Sequence, residues 1–167
     1  MAMALSTVMT APRWTHVAIP VSDLKRSIAF YTAVTPLVVV DERDEGDSAA
    51  AWLSNDGQVE SPFVLVLAEF RGALAERFKM APGKPIPTLA PFAHIGIEMP
   101  TKEEVDAASE LGEKMGVLRA AAHMRPPPVG YICSLFDPDG NIIEFSWDQK
   151  VYSTIRALWG DKMGDAT

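Results

Sequence analysis

Two short stretches of the sequence determine the fold: WTHVAIP at residues 14–20 and FAHIGIE at residues 92–98. Each reads aromatic, small, histidine, β-branched, small, isoleucine over its first six positions. The two copies are separated by about half the chain, which is far longer than the unit of a solenoid repeat. Their polar and apolar residues alternate with the period of a half-buried strand. The sequence therefore contains a duplicated half-domain that begins with a strand.

Each copy is followed by residues that predict one helix and three further strands. After the first copy, Asp23 is a good N-cap, and apolar residues recur at helical spacing up to Pro36. After the second, Thr101 and Glu104 form a capping box, and Gly116 is expected to end the helix. The extended segments that follow are expected at 37–42, 49–54 and 63–69 in the first half and at 117–123, 131–136 and 141–147 in the second. The sequence therefore predicts an α+β fold of two βαβββ modules that form a cupped mixed sheet.

The 167 residues are expected to form a single domain. Module one is expected at about 12–80 and module two at about 92–148. The proline-rich segment 81–91 cannot be a central strand, so it is interpreted as the connector between the modules. The sequence Asp139-Gly140 predicts a hairpin because both residues tolerate positive φ. A short C-terminal docking helix is expected at 150–160.

The composition limits the classes of function. Fifteen Lys and Arg residues against 22 Asp and Glu residues give a net charge of −7, which repels nucleic acid and anionic membranes. Cys133 is the single cysteine, so the chain can form no internal disulfide. No apolar run approaches the roughly 20 residues that span a bilayer, and residues 1–10 lack the basic start of a secretory signal. A cytoplasmic protein with a small-molecule partner is expected.

Strand parity selects three candidate metal ligands. His16, His94 and Glu144 each lie on the strand face opposite the apolar residues that should pack under a helix. A single histidine is more often structural than a ligand, and Glu144 alone could be a surface charge. Two histidines at matching positions together with one glutamate are instead typical of a 2-His-1-carboxylate site. The pattern predicts that these three residues bind a divalent metal, with Fe, Mn, Ni and Zn left open.

The chain resembles the vicinal oxygen chelate superfamily, which includes glyoxalase I, extradiol dioxygenases, fosfomycin-resistance enzymes, epimerases and bleomycin-binding proteins. The resemblance covers residues 14–148. It is carried by Thr15-His16-Val17, by Asp23 to Tyr31, by Ala93-His94-Ile95-Gly96 and by Phe136 to Glu144. It implies the glyoxalase/bleomycin resistance/dioxygenase fold, and it implies His16, His94 and Glu144 as the metal ligands. It implies no particular reaction.

Three positions depart from the patterns of named activities. Val66 stands where glyoxalase I and the epimerases place a further ligand, and Glu69 is three residues further on, with the opposite parity. Ala18 replaces the threonine of fosfomycin-resistance enzymes. Ser134 replaces the tyrosine of extradiol dioxygenases, and His123 is the nearest candidate for their pocket histidine. The roles of Glu69, His123 and Arg125 are left open.

Two functions remain in competition. The first is a metal-dependent enzyme, of lyase, isomerase or ring-cleaving dioxygenase type, acting on a small molecule that chelates the metal through neighbouring oxygens. The alternative is a metal-free binding protein of the bleomycin-resistance type. Trp52 and Tyr131 are the candidate substrate-binding residues. The resemblance also implies a homodimer, and the ligands can then lie in one chain or be shared between two chains.

Overall fold

The computed structural model describes residues 14–58, 63–81 and 83–160, so the expectation for residues 1–10 lies outside the described part. Twelve elements follow one another along these residues. In order they are β1 (His16–Pro20), α1 (Leu24–Val34), β2 (Leu37–Asp44), β3 (Ser48–Asn55), β4 (Val64–Phe70), α2 (Gly72–Arg77), β5 (His94–Glu98), α3 (Lys102–Lys114), β6 (Leu118–Arg125), β7 (Gly130–Phe136), β8 (Ile142–Trp147) and α4 (Val151–Trp159). The duplicated βαβββ order is confirmed.

Each module forms a four-stranded mixed sheet with the same topology. The strand orders are β1-β4-β3-β2 and β5-β8-β7-β6. The first strand pairs in parallel with the last, and the other neighbours are antiparallel. His16 pairs with Val64 and His94 pairs with Ile142, so the two histidines hold equivalent places. The predicted α+β class of fold is confirmed.

One face of each sheet is covered by the helix of its own module. Helix α1 packs on β2, β3 and β4, and α3 packs on β6, β7 and β8. Asp23 caps α1 through a 2.9 Å hydrogen bond from the Arg26 amide, and the Thr101–Glu104 capping box begins α3. Ile143 and Phe145 are fully buried on the helix side, as their parity predicts.

A turn between β7 and β8 joins the two modules. Asp139 is buried and accepts hydrogen bonds from the backbone amides of Ser22 and Ile86, at 3.1–3.2 Å and 3.1 Å. Asp137 accepts a 3.0 Å hydrogen bond from the Tyr31 hydroxyl. Buried residues of both modules also form one hydrophobic core. The turn therefore ties α1 and the connector to module two.

Two helices differ from the sequence expectation in different ways. Helix α2 is not predicted from the sequence, because six residues are too few for a clear helical period. Helix α4 forms where the C-terminal helix is expected, but none of its residues is buried. Its apolar side chains include Tyr152 and Leu158, which are 68% and 64% exposed. No helix within the described ranges is both long and apolar enough to cross a membrane.

Candidate functional site

His94 and Glu144 lie together on the open face of module two. Their strands are adjacent and parallel. His94 pairs with Ile142, and Glu144 lies two positions further along that strand, where it pairs with Gly96. Such positions share a face of the sheet. Both side chains line one cavity of about 510 Å³. The glycine between them adds no side chain, and a methyl group placed there would meet nothing within 4 Å.

The ring of His94 is oriented for binding through Nε2. Its Nδ1 lies 2.8 Å from the Phe92 carbonyl oxygen. Because a carbonyl oxygen only accepts, Nδ1 must carry the proton in this hydrogen bond. The neutral ring then has its lone pair on Nε2. This is the tautomer and the backbone support typical of histidines that bind metals.

The carboxylate of Glu144 is half-buried and held by Gln149. Nε2 of Gln149 donates a 3.0 Å hydrogen bond to Oε1 of Glu144. The hydroxyl of Ser146 donates to Oε1 of Gln149 at 3.3 Å. The amide is therefore oriented with its nitrogen toward the carboxylate. Sequence reasoning missed Gln149 because it follows the last strand, beyond the reach of strand parity.

His16 occupies the matching place in module one but does not meet the other two residues within this chain. Its Nδ1 lies 2.9 Å from the Thr15 hydroxyl, and its side chain is exposed. Ala18 pairs with Val66, where module two pairs Gly96 with Glu144. Module one therefore offers a metal one ligand and module two offers two. Across the described ranges, no three His, Cys, Asp or Glu side chains gather closely enough to hold an ion.

Strand β6 brings three further polar residues to the cavity of module two. Arg119, His123 and Arg125 line it together with His94 and Glu144. Nδ1 of His123 lies 2.8 Å from the Ala121 carbonyl oxygen, which again leaves the lone pair on Nε2. The sequence pattern leaves the roles of His123 and Arg125 open and gives no signal for Arg119.

Trp52 lies on the corresponding open face of module one. It pairs with Val66, which pairs with Ala18, so the three residues share the face that carries His16. Its side chain is 40% exposed. The guanidinium of Arg43 lies 4.6 Å from the centre of the indole ring. Arg43 therefore already covers part of the indole, and the exposed remainder of the ring is what a small molecule on this sheet face could contact.

Tyr131 lies on the helix side of its sheet, away from the candidate site. Its hydroxyl donates a 2.6 Å hydrogen bond to Asp106 on α3, and the Lys102 ammonium lies 4.5 Å from its ring centre. The bond to Asp106 raises the pKa of the Tyr131 hydroxyl. Its position does not suit the expected contact with substrate. Parity could have shown this, since Tyr131 is three residues from Ser134, which pairs with Glu144.

Two other ionisable side chains have structural roles. Glu69 accepts a 2.8 Å hydrogen bond from the Leu24 amide at the start of α1 and a 2.7 Å bond from Arg71. Cys133 is fully buried and faces α3, where Sγ lies 3.5 Å from the Val105 carbonyl oxygen. Burial, with the nearby charges of Asp106 and Glu144, raises the pKa of the thiol to about 11. Cys133 is therefore protonated at neutral pH and is a poor nucleophile.

Comparison with known sequences identifies the family. Residues 13–145 match the family model described as the Glyoxalase/Bleomycin resistance protein/Dioxygenase superfamily. The chain is 33% identical over 149 residues to the uncharacterized protein PA2024 of Pseudomonas aeruginosa. That match covers 89% of this chain and 97% of the relative. The sequence evidence therefore extends over nearly all of both βαβββ modules.

Solved structures share the fold at lower identity. Trypanothione-dependent glyoxalase I of Leishmania major has a TM-score of 0.60 at 22% identity, covering 92% of this chain and 99% of that one. A mutant of the fosfomycin resistance protein FosX of Listeria monocytogenes, complexed with Mn(II), has a TM-score of 0.60 at 15% identity, covering 87% and 98%. The antibiotic binding protein TnmS3 of Streptomyces sp. CB03234 has a TM-score of 0.57 at 20% identity, covering 83% and 98%. The same fold thus occurs in a glyoxalase I, in a resistance protein complexed with Mn(II) and in an antibiotic binding protein.

Proposed function

Because the chain belongs to the glyoxalase/bleomycin resistance protein/dioxygenase superfamily, we propose that it is a metal-dependent enzyme acting on a small organic molecule. The substrate chelates the metal through neighbouring oxygens, and the reaction is of the lyase, isomerase or ring-cleaving dioxygenase type. The observation that carries this proposal is the pair formed by His94 and Glu144, which share one cavity and one face of the sheet. A matching His16 stands in the other module.

The donor set fits a divalent metal such as Fe, Mn, Ni or Zn. His94 offers Nε2 because its Nδ1 is committed to the Phe92 carbonyl oxygen. Glu144 offers a carboxylate that Gln149 orients, as is usual for carboxylates that bind metals. When bound, a divalent metal supplies Lewis-acid polarisation of a chelating oxygen. His123, with its own free Nε2, is placed in the same cavity to accept or return a substrate proton.

Sharing between two copies of the chain completes the three-ligand set. Module one supplies His16 only, and within this chain His16 does not join the other two ligands among the described residues. In a twofold dimer, His16 of one copy can face His94 and Glu144 of the other, which forms two identical sites. Trp14 and Phe92 support this arrangement. Each lies two residues before its histidine and is 83% exposed, as expected for apolar side chains that a partner covers.

Metal analysis of purified protein tests the proposal. We expect one divalent ion per chain in protein prepared without chelators, and loss of that ion in the Glu144→Ala variant. The Glu113→Ala variant is the matched control because Glu113 is exposed on α3, away from the cavity. Full metal content in Glu144→Ala, measured by mass spectrometry of the metal, would contradict the ligand set.

A metal-free binding protein is the second candidate function. It is supported by the absence of a complete ligand cluster within the described part of one chain and by the exposed Trp52, which an aromatic or cationic ligand could contact. The fold shared with an antibiotic binding protein is consistent with it. Thermal unfolding separates the two functions. An enzyme that holds a metal loses stability on chelation, whereas a metal-free binder keeps its melting temperature.

A further inference from the structure

We infer that the cavity beside His94 and Glu144 receives an organic anion, whose carboxylate or phosphonate group binds Arg119 and Arg125 on β6 and whose apolar body rests on the cavity wall. This inference rests on the proposed function and names the class of substrate that the site binds. Both arginines line the cavity. Three observations carry the inference: the irregular course of β6, the charge balance of the cavity and its apolar wall.

Strand β6 departs from regular pairing so that polar side chains reach the cavity. Ala120 pairs with Ser134, on the face that carries the metal-ligand candidates. In a regular strand, positions 122 and 124 would be next on that face. A register shift between Ala120 and His123 instead pairs His123 with Ile132 and Arg125 with Gly130, which puts both polar residues on it. A second shift lies between positions 118 and 120, at Arg119. Bulges of this kind re-aim side chains beside functional sites.

The charge of the cavity favours an anion. Two guanidinium groups line it against the single carboxylate of Glu144, which Gln149 already holds. Within the described ranges, no carboxylate lies within ion-pair distance of Arg119 or Arg125. The nearest partner of Arg119 is the Ser134 hydroxyl, at a long 3.4 Å. A basic cavity in a chain of net charge −7 is a local reversal of sign, and planar guanidinium groups suit carboxylate and phosphonate oxygens.

The rest of the cavity favours an apolar body on that anion. Its wall includes Phe92, Val129, Ile132 and Ile142. The volume of about 510 Å³ is in the range typical of sites for small organic molecules. His94 and Glu144 lie in the same cavity, so an anion held by β6 has its body beside the proposed metal ligands. The arginines therefore act as binding residues that position the substrate.

Binding of model anions to chelator-treated protein tests this inference. Benzoate and phenylphosphonate are the probes, and benzamide is the neutral control of similar shape. Calorimetric titration should show binding of both anions and not of benzamide. Arg119→Gln and Arg125→Gln should each weaken anion binding by about tenfold or more, as expected for loss of a charge-assisted hydrogen bond. Arg77→Gln is the matched control, since Arg77 is exposed on α2 outside this cavity, and it should bind the anions as the parent does.

The outcomes separate this inference from the proposed function. Equal binding of benzamide and benzoate, absence of anion binding, or equal losses in Arg77→Gln and Arg125→Gln would overturn it. Because the probes are tested without metal, a parent protein that never holds a metal but binds benzoate would overturn the metalloenzyme proposal and support the anion site. Metal retained in Arg119→Gln and Arg125→Gln, with anion binding lost, would support both.

Discussion

The Tyr31 hydroxyl of module one donates a 3.0 Å hydrogen bond to the buried Asp137 carboxylate of module two. Asp137 also accepts hydrogen bonds from the backbone amides of Asp139 and Asn141, at 2.8 and 2.7 Å. A turn that resembles an ordinary hairpin in the sequence is therefore the junction of the duplicated halves. The relative placement of the two open sheet faces depends on this junction.

Removing the Tyr31 hydroxyl should destabilise the fold and change its pH dependence. Burial, followed by the charge of Asp137, raises the pKa of Tyr31 well above its ordinary value near 10. The folded state therefore keeps the proton that the unfolded chain loses above pH 10, and stability falls by about 1.4 kcal/mol per pH unit there. Tyr31→Phe should lose about 1–3 kcal/mol at neutral pH and show a shallower alkaline fall.

Urea denaturation of parent and Tyr31→Phe between neutral pH and pH 11 measures both effects. Cys133, whose pKa is also raised, is present in both proteins, so its contribution cancels in the comparison. Parallel alkaline slopes in the two proteins would contradict the assignment of this titration to Tyr31.

Truncating Asp139 should lower the free energy of unfolding, because its carboxylate links the two modules. Asp139→Ala leaves the Ser22 and Ile86 amides without their acceptor, and each unsatisfied buried donor costs about 1–3 kcal/mol. A loss of about 2–5 kcal/mol in the free energy of unfolding is expected from denaturant titration. Arg77→Gln, on exposed α2, should change stability by less than about 0.5 kcal/mol. Equal stability of the two variants would show that the turn does not join the modules.

Two glycines give opposite predictions for the same substitution. A methyl group on Gly112 would lie 2.1 Å from a methyl carbon of Leu135, which is itself fully buried. Gly112→Ala should therefore cost about 1–3 kcal/mol through overpacking. Gly96→Ala meets nothing within 4 Å and has an ordinary backbone conformation, so it should be neutral or slightly stabilising. Thermal unfolding of the two variants checks the difference, and a reversed order would contradict the packing described.

Gln149 is predicted to tune metal binding without binding the metal. It orients Glu144 through a 3.0 Å hydrogen bond, and loss of such support typically weakens metal affinity by about 10–100-fold. Gln149→Leu should show this loss in a competition titration with a chelating dye. Glu113→Ala is again the control, because Glu113 is exposed on α3 and lines neither this cavity nor the one between the modules. Equal metal affinities in the two variants would remove Gln149 from the site.

The sequence predicts the fold well because the duplication repeats its strongest local signals. The positions of His16 and His94 show the repeat, and parity assigns Ile143 and Phe145 to the buried face, where they lie. Module one departs at Val17, which is 36% exposed although its parity assigns it to the helix side. It lines a cavity between the modules with Ile95. How two modules pack depends on contacts between distant residues, which a local pattern does not contain.

The candidate site is less accessible to sequence reasoning than the fold. Parity holds only in regular strands, so the register shifts in β6 hide the approach of His123 and Arg125 to the cavity. One of these shifts falls in the run Ala120 to Ala122. Three successive alanines show no alternation of polar and apolar residues, so the sequence gives no sign of a bulge there. The aromatic character of Tyr131 suggested a substrate contact, whereas its parity and its hydrogen bond to Asp106 place it under α3. In the proposed shared site, the place of His16 relative to the other ligands depends on how two chains pack, which the sequence of one chain does not contain.

Mixing two variants tests whether one metal site is built from two chains. His16→Ala and His94→Ala should each bind no metal as homodimers. A heterodimer of the two has one site with both substitutions and one intact site, so unfolding and refolding an equimolar mixture should restore about a quarter of the parent metal content. Metal content that stays at zero in the refolded mixture, with dimers shown by light scattering, would contradict a shared site.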